Sequence, residues 1–149
     1  MDRIGAARAE LVPVVAVGGV VLAPGPHVLL IKRGTAPLLG QWTLPGGRLR
    51  GGETIAAALE REVLEETGIR VTAGRLIEVI EIVTEGYHYV VHDHLCRPID
   101  ASEVPKAGDD AAEARYVGPS ELPSFNVTEA VARVVRRGLA MGQVRSEDT

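Results

Sequence analysis

The sequence predicts an α/β layered domain, and three observations carry that expectation. Val12 to Leu22 is a β-branched run with almost no polar residue, Thr54 to Thr67 is a Gly- and Pro-free segment rich in Ala, Leu, Glu and Arg, and further Val/Ile/Tyr-rich stretches stand between it and a second amphipathic segment. Strands interleaved with two separated helices must bury one face of each helix on a shared sheet.

Taken in order, the run at Val12–Leu22 reads as a central strand buried on both faces. The Ala23-Pro24-Gly25-Pro26 turn leads to a short strand, Val28–Ile31, and the two form a candidate hairpin. Gly34 to Gly52 holds seven Gly or Pro residues between Pro37 and Gly52, which predicts a long loop with regular structure only near Trp42–Leu44. Thr54–Thr67 is a helix ended by Gly68 at the position that favours a left-handed backbone. Val71–Val83 and Tyr87–Arg97 are strands, and a Gly/Asp loop separates them from a last short strand, Glu113–Val117. Thr128–Met141 places Val131, Val134, Val135 and Leu139 at helical spacing and should cover the sheet.

Composition narrows the function classes. At 149 residues the chain is expected to form one domain over residues 1–149, with 1–10 and 143–149 flexible. The longest apolar stretch is broken by Pro and Gly, so no membrane span is expected. A single cysteine, Cys96, and a polar N-terminus suit a cytoplasmic protein, with Cys96 as a small core residue. Sixteen Lys and Arg against 20 Asp and Glu, without a basic block, argue against a long nucleic-acid groove. Aromatic residues at 3% argue against an array of base-stacking platforms, so a nucleotide, if bound, binds singly.

The first helix carries Glu60, Glu62, Glu65 and Glu66. At about 100° per residue, Glu62 and Glu66 fall within about 20° of Ile55, on the helix's apolar side, and Glu65 flanks them. Glu60 points away and reads as solvated. Three carboxylates turned inward repel one another, and a divalent cation relieves both the repulsion and the burial cost. All-oxygen donors select Mg²⁺, Mn²⁺ or Ca²⁺.

Gly47, Glu53 and Arg61-Glu62-Val63-Leu64-Glu65-Glu66-Thr67-Gly68-Ile69 also form a spaced pattern over 23 residues. It resembles the Nudix box of the Nudix hydrolases, and seven fixed identities recur by chance on the order of 10⁻⁹ per start position. Trp42 and the Leu44-Pro45-Gly46 lead-in extend the likeness, while Arg50 stands where many members carry an acid. The resemblance implies an α/β/α sandwich with a mixed sheet and Mg²⁺-dependent hydrolysis, with Mn²⁺ as a substitute, of a nucleoside diphosphate linked to another group. It implies Glu62, Glu65, Glu66 and the Gly46 carbonyl as metal ligands, and Glu53 with Arg61 as the pair that orients the Gly47 loop against the helix. The general base is expected at Asp110, in Gly108-Asp109-Asp110, with Glu113 as the second candidate.

Arg33 and Arg48 flank the loop and are candidate phosphate clamps, although surface cations are the ordinary reading. His88, His92 and His94 alternate onto one strand face; a zinc pair lacks a third ligand at suitable spacing, so this face is expected to line the substrate pocket. Trp42 reads as a packing residue. ADP-ribose is the favoured substrate, although ADP-ribose-specific relatives often carry a proline where this chain has Thr84, and dinucleoside polyphosphate hydrolases a tyrosine near Tyr87. Two alternatives stand beside it: a nucleoside triphosphate pyrophosphohydrolase, and a non-catalytic ligand sensor on the same fold. The relatives' habit of pairing also leads to the expectation of a homodimer.

Overall fold

In the computed structural model, residues 11–108 and 110–147 are described, with side chains as far as Gly142 in the last helix. The expectation for residues 1–10, and the position of Asp109, lie outside them. Seven strands form one sheet: β1 (Val14–Ala23), β2 (His27–Arg33), β3 (Trp42–Thr43), β4 (Gly46–Arg48), β5 (Val71–Thr84), β6 (Tyr87–Pro98) and β7 (Ala111–Val117). Helix α1 (Ile55–Thr67) follows β4, and α2 (Glu129–Glu147) closes the chain after a short 3-10 turn at Leu122–Phe125. No helix among the described residues is long and apolar enough to cross a membrane.

The sheet is mixed, because β1 and β6 are parallel from Val14↔Tyr89 to Val21↔Cys96 while the other pairings are antiparallel. β1 is its buried centre. Side chains alternate across a strand, so Val17 and Val21 pack with Leu59, Val63 and Ile69 on the α1 side, and Val20 packs with Leu95, Val134 and Val135 on the α2 side. This is the α/β/α arrangement.

The hairpin expected from β1 and β2 pairs only at Leu22↔Val28 and Ala23↔His27, after which the strands diverge. The freed edge of β1 is taken by β4, through Ala16↔Arg48, Val17↔Gly47 and Gly18↔Gly46. The predicted loop at 34–52 therefore contains two short strands, β3 and β4, rather than one piece near Trp42. Glycine made β4 look irregular, yet only glycine allows it: a Cβ on Gly46 would overlap the Val17 carbonyl.

Helix α1 is bounded as its sequence predicts. Thr54 Oγ1 accepts from the Ala57 amide at 3.1 Å, and Gly68 takes φ 73° while donating to the Leu64 carbonyl. Two more C-terminal carbonyls are answered from the 99–108 loop, where Lys106 N donates to Thr67 O and Gly108 N to Glu66 O. Helix α2 is capped by Thr128 Oγ1 and tied to β5 through Glu78, which accepts from Arg133 at 2.6 Å and Arg137 at 3.0 Å. It continues to Glu147, into the 143–149 segment expected to be flexible, since Gln, Arg and Glu are helix formers. Trp42 packs edge-on against Phe125 at 4.9 Å, and Cys96 is a free, buried core residue.

Burial along α1 yields a stability prediction. Leu59 is fully buried and Leu64 is 47% exposed. Leu59→Ala should cost about 3 kcal/mol and Leu64→Ala under about 0.5 kcal/mol in urea unfolding. Equal costs would show that α1 does not dock by this face.

Candidate active site

The site is built where β4 wedges between β1 and the C-terminal half of α1, meeting Glu62 and Glu66. Arg61 organises it. Its Nε and Nη2 donate to the two Glu53 oxygens at 2.6 and 2.9 Å, Nη2 also reaches the Arg48 carbonyl at 3.1 Å, and Nη1 donates to Glu62 at 3.0 Å and Glu65 at 3.1 Å. A planar guanidinium is suited to such forked pairing. The Arg61 hydrogen bond holds Glu53 down at about 2. Glu53 in turn accepts from the Arg50 amide, so one cation joins the helix, the loop and β4.

The inward face of α1 carries the acids. Glu66 is only 5% exposed, its Oε1 accepting from the Gly46 amide at 2.7 Å, and burial pushes its carboxyl up to about 8. Glu62 is also raised by burial, against the pull of Arg61. A Cβ on Gly47 would overlap the Glu62 carboxylate, so that glycine makes the place the acid occupies. Glu65 is the most open of the three, with 36% of its side chain exposed. Glu60 is not merely solvated: it turns to the sheet and accepts from the Ala73 amide at 2.9 Å.

As they stand, no three His, Cys, Asp or Glu side chains among the described residues are gathered closely enough to grip an ion. Arg61 divides Glu62 and Glu65, while Glu66 is turned to Gly46. The donor set nonetheless suits a hard divalent cation: two part-buried carboxylates with raised affinity for a positive charge, a third beside them, and a glycine cradle for one of them.

Glu62, Glu66 and Asp110 line one cavity of about 510 Å³, together with Arg33, Arg48 and Arg50. Asp110 arrives there because the 99–108 loop is bonded to the end of α1 and the Asp110 carbonyl accepts from Gly34 N. Its charge helps to raise Glu66. Glu113 is elsewhere, pairing with Lys32 at 3.7 Å across β2 and β7 and lying outside the cavity lining. Of the two expected clamps, Arg33 donates to the Pro37 and Ala36 carbonyls, and Arg48 lies 5.8 Å over the Tyr89 ring. Arg50 also lines the cavity, a third cation beside the two expected from the sequence.

The histidine face of β6 is a correction. The cavity is lined by Tyr87, Tyr89, Val91 and Asp93, which alternate with the histidines and so occupy the opposite face. His88 instead meets Glu81 at 3.2 Å and His94 the Gly74 carbonyl at 2.9 Å. Strand parity groups Asp93 with the other odd positions, and the packing of Cys96 against α1 and of Leu95 against α2 shows that the odd positions face α2 and the cavity. Tyr87 and Tyr89 stack at 5.7 Å. Asp93 is 2% exposed, its Oδ2 has no hydrogen-bond partner among the described residues, and burial followed by the Glu78 charge pushes its carboxyl up to about 7.

A raised carboxyl favours the folded state only while it is protonated, so the Asp93 contribution is complete below about pH 4 and lost as pH rises through about 7. The stability difference between wild type and Asp93→Asn should therefore shift against wild type over that window, by up to about 1.4 kcal/mol per pH unit. Urea unfolding at a series of pH values in chelator measures it; a constant difference would refute the raised carboxyl.

Comparison with known proteins agrees with this geometry. The Nudix domain family matches residues 12–138. An ADP-ribose pyrophosphatase from Methanocaldococcus jannaschii is 36% identical over 119 residues, 79% of this chain and 69% of the relative. A putative 8-oxo-dGTP diphosphatase from Bacillus subtilis is 34% identical over 109 residues, 72% of this chain and 68% of the relative. The crystal structure of a MutT Nudix hydrolase from Burkholderia pseudomallei superposes with a TM-score of 0.70 at 28% identity, covering 85% of this chain and 98% of the other. With the arginine-centred acidic helix, the β1–β4 wedge and the matched span in agreement, the chain belongs to the Nudix hydrolase family and is a hydrolase of pyrophosphate bonds.

Proposed function

We propose that the protein is a Mg²⁺-dependent pyrophosphohydrolase of a nucleoside diphosphate linked to a second group, with ADP-ribose as the favoured substrate. The observation that carries the reading is a buried acid, Glu66, held by a backbone amide at 2.7 Å in a cavity that Glu62 and Asp110 also line and three arginines rim. Carboxylates alone would repel a pyrophosphate, and arginines alone would bind it without hydrolysis. Together they suit a substrate whose phosphates need both cationic clamping and a metal.

Glu62, Glu65, Glu66 and the Gly46 carbonyl would hold Mg²⁺, or Mn²⁺ in its place. Bound there, the cation would supply neutralisation of charge developing on the phosphate oxygens and a more acidic water. Arg33, Arg48 and Arg50, which line the same cavity, orient the diphosphate beside the acids. Asp110 takes a proton from the attacking water, directly or through a second water. The water oxygen bonds to one phosphorus, the bridging P–O bond breaks, and AMP and ribose 5-phosphate leave. Arg61 and Glu53 touch no substrate in this scheme; they position Glu62 and the β4 loop.

The name of the Bacillus subtilis relative favours a second reading, hydrolysis of nucleoside triphosphates to monophosphates. A panel of ADP-ribose, deoxynucleoside triphosphates and 8-oxo-dGTP decides between them. ADP-ribose should give the highest kcat/KM, and a tenfold preference for triphosphates would replace it. Equal inactivity on all of them with Mg²⁺ and Mn²⁺ would favour the ligand-sensor alternative. We also propose a homodimer, with the open edge of β5 as its seat, where Leu76, Val79 and Val83 are exposed. Light scattering should give twice the 15.8 kDa chain mass; a monomer mass at micromolar concentration would refute it.

Glu66→Gln should separate turnover from stability. The amide keeps an oxygen for the Gly46 N–H but is a poor ligand for a hard cation, so turnover should fall by about a hundredfold or more. In chelator the variant should be as stable as wild type or more so, because a buried carboxyl and its repulsion with Glu62 are gone. Turnover close to wild type would remove Glu66 from the metal site.

A further inference from the structure

Gly46, Gly18 and Asp93 are successive register partners across β4, β1 and β6, so they form one row of the sheet. At one end the Gly46 amide holds Glu66. At the other stands an acid that the hydrolytic scheme does not use. Asp93 lines the same cavity, is 2% exposed, and has an Oδ2 without a hydrogen-bond partner among the described residues. Two inter-strand spacings, about 10 Å, separate Gly46 from Asp93, a length that the sugar and base of one nucleotide can bridge. The two glycines have no side chains to fill the row between them.

A structural role does not account for this acid. Its register partner on β5 is Glu78, which repels it, and the α2 cations Arg133 and Arg137 are both engaged by Glu78. From β1 it meets Gly18, where a Cβ would overlap Asp93 Oδ1. The fold thus makes room for a buried acceptor and gives it nothing to accept, a cost that a ligand donor would offset. On the same face of β6, Tyr87 and Tyr89, stacked on each other with Arg48 over the Tyr89 ring, add aromatic lining to the cavity.

We propose that Asp93 is a specificity-determining residue that accepts a hydrogen bond from the exocyclic amino group of the substrate's adenine base. The inference rests on the adenine nucleotide reading given above. Either protonation state serves, since a carboxylate and the carbonyl oxygen of a neutral carboxyl both accept. A base without the amino group leaves Oδ2 unpaired in a dry site, which is how a buried polar group discriminates between ligands of nearly equal shape.

Calorimetric titration with AMP and with purine riboside 5′-monophosphate, which lacks only the amino group, tests this. Neither has a pyrophosphate bond, so the readout is independent of turnover. Wild type should bind AMP at least about tenfold more tightly. Asp93→Asn, which keeps a carbonyl acceptor, should retain the preference, and Asp93→Leu, checked for folding by its thermal midpoint, should reduce it to about unity. Equal affinities in wild type, no binding of AMP at millimolar concentration, or a preference that survives in Asp93→Leu would overturn the assignment. A preference lost equally in Asp93→Asn and Asp93→Leu would also overturn it, by giving Asp93 a packing role. Discrimination between the monophosphates without hydrolysis of ADP-ribose would overturn the substrate reading alone, and hydrolysis without discrimination the role of Asp93 alone.

Discussion

Five hydrogen bonds from one guanidinium hold the site together. Arg61 reaches both oxygens of Glu53, one each of Glu62 and Glu65, and the Arg48 carbonyl. Side chains and a backbone segment that are distant in function are thereby fixed to one rigid fork. Part-burial of Arg61, at 17% exposure, makes each bond matter, because a cation removed from water and unpaired would be costly. The position of β4 along β1, the direction of Glu62 and the start of α1 all depend on that fork.

The remaining geometry follows from how closely main chains approach. Gly46 lies against the Val17 carbonyl and Gly47 against the Glu62 carboxylate, each too near for a side chain. At the C-terminal end of α1, Gly108 lies against the Glu65 carbonyl, which lets the 99–108 loop bond the helix end and bring Asp110 to the cavity. The acids are thus held by backbone contacts and by Arg61. Such holding from outside is what precise placement of ligands and a base requires.

A compromise runs through the site. Glu66 and Asp93 are both buried acids raised well above their ordinary range, and each lowers the stability of the folded chain at neutral pH. Glu66 has the Gly46 amide as partial compensation, whereas Asp93 has none. Two such groups in one cavity are more readily understood as ligand contacts than as elements of the core, since an apolar residue in either place would be at least as stable.

Sequence by itself determined the features that depend on local periodicity and spacing. The bounds of α1 were legible from Thr54 and Gly68, the inward turn of Glu62 and Glu66 from the 3.6-residue repeat, and the Glu53–Arg61 pair from the resemblance to the Nudix box. The two-sided burial of β1 was equally plain from its β-branched run. Only the tertiary structure decided what depends on pairing between distant strands. β4 was hidden because its glycines are turn formers in isolation and become strand residues only against Val17 and Gly18. The face of β6 that meets the cavity was misassigned because alternation divides its residues into two sets without saying which set faces which layer, and the parallel register with β1 settles that for Asp93 and the tyrosines. Which of Asp110 and Glu113 lines the cavity likewise rested on contacts from remote segments, Gly34 and the end of α1 for one and Lys32 for the other. Local chemistry is written along the chain, whereas the side of a sheet and the reach of a loop are set by partners tens of residues away.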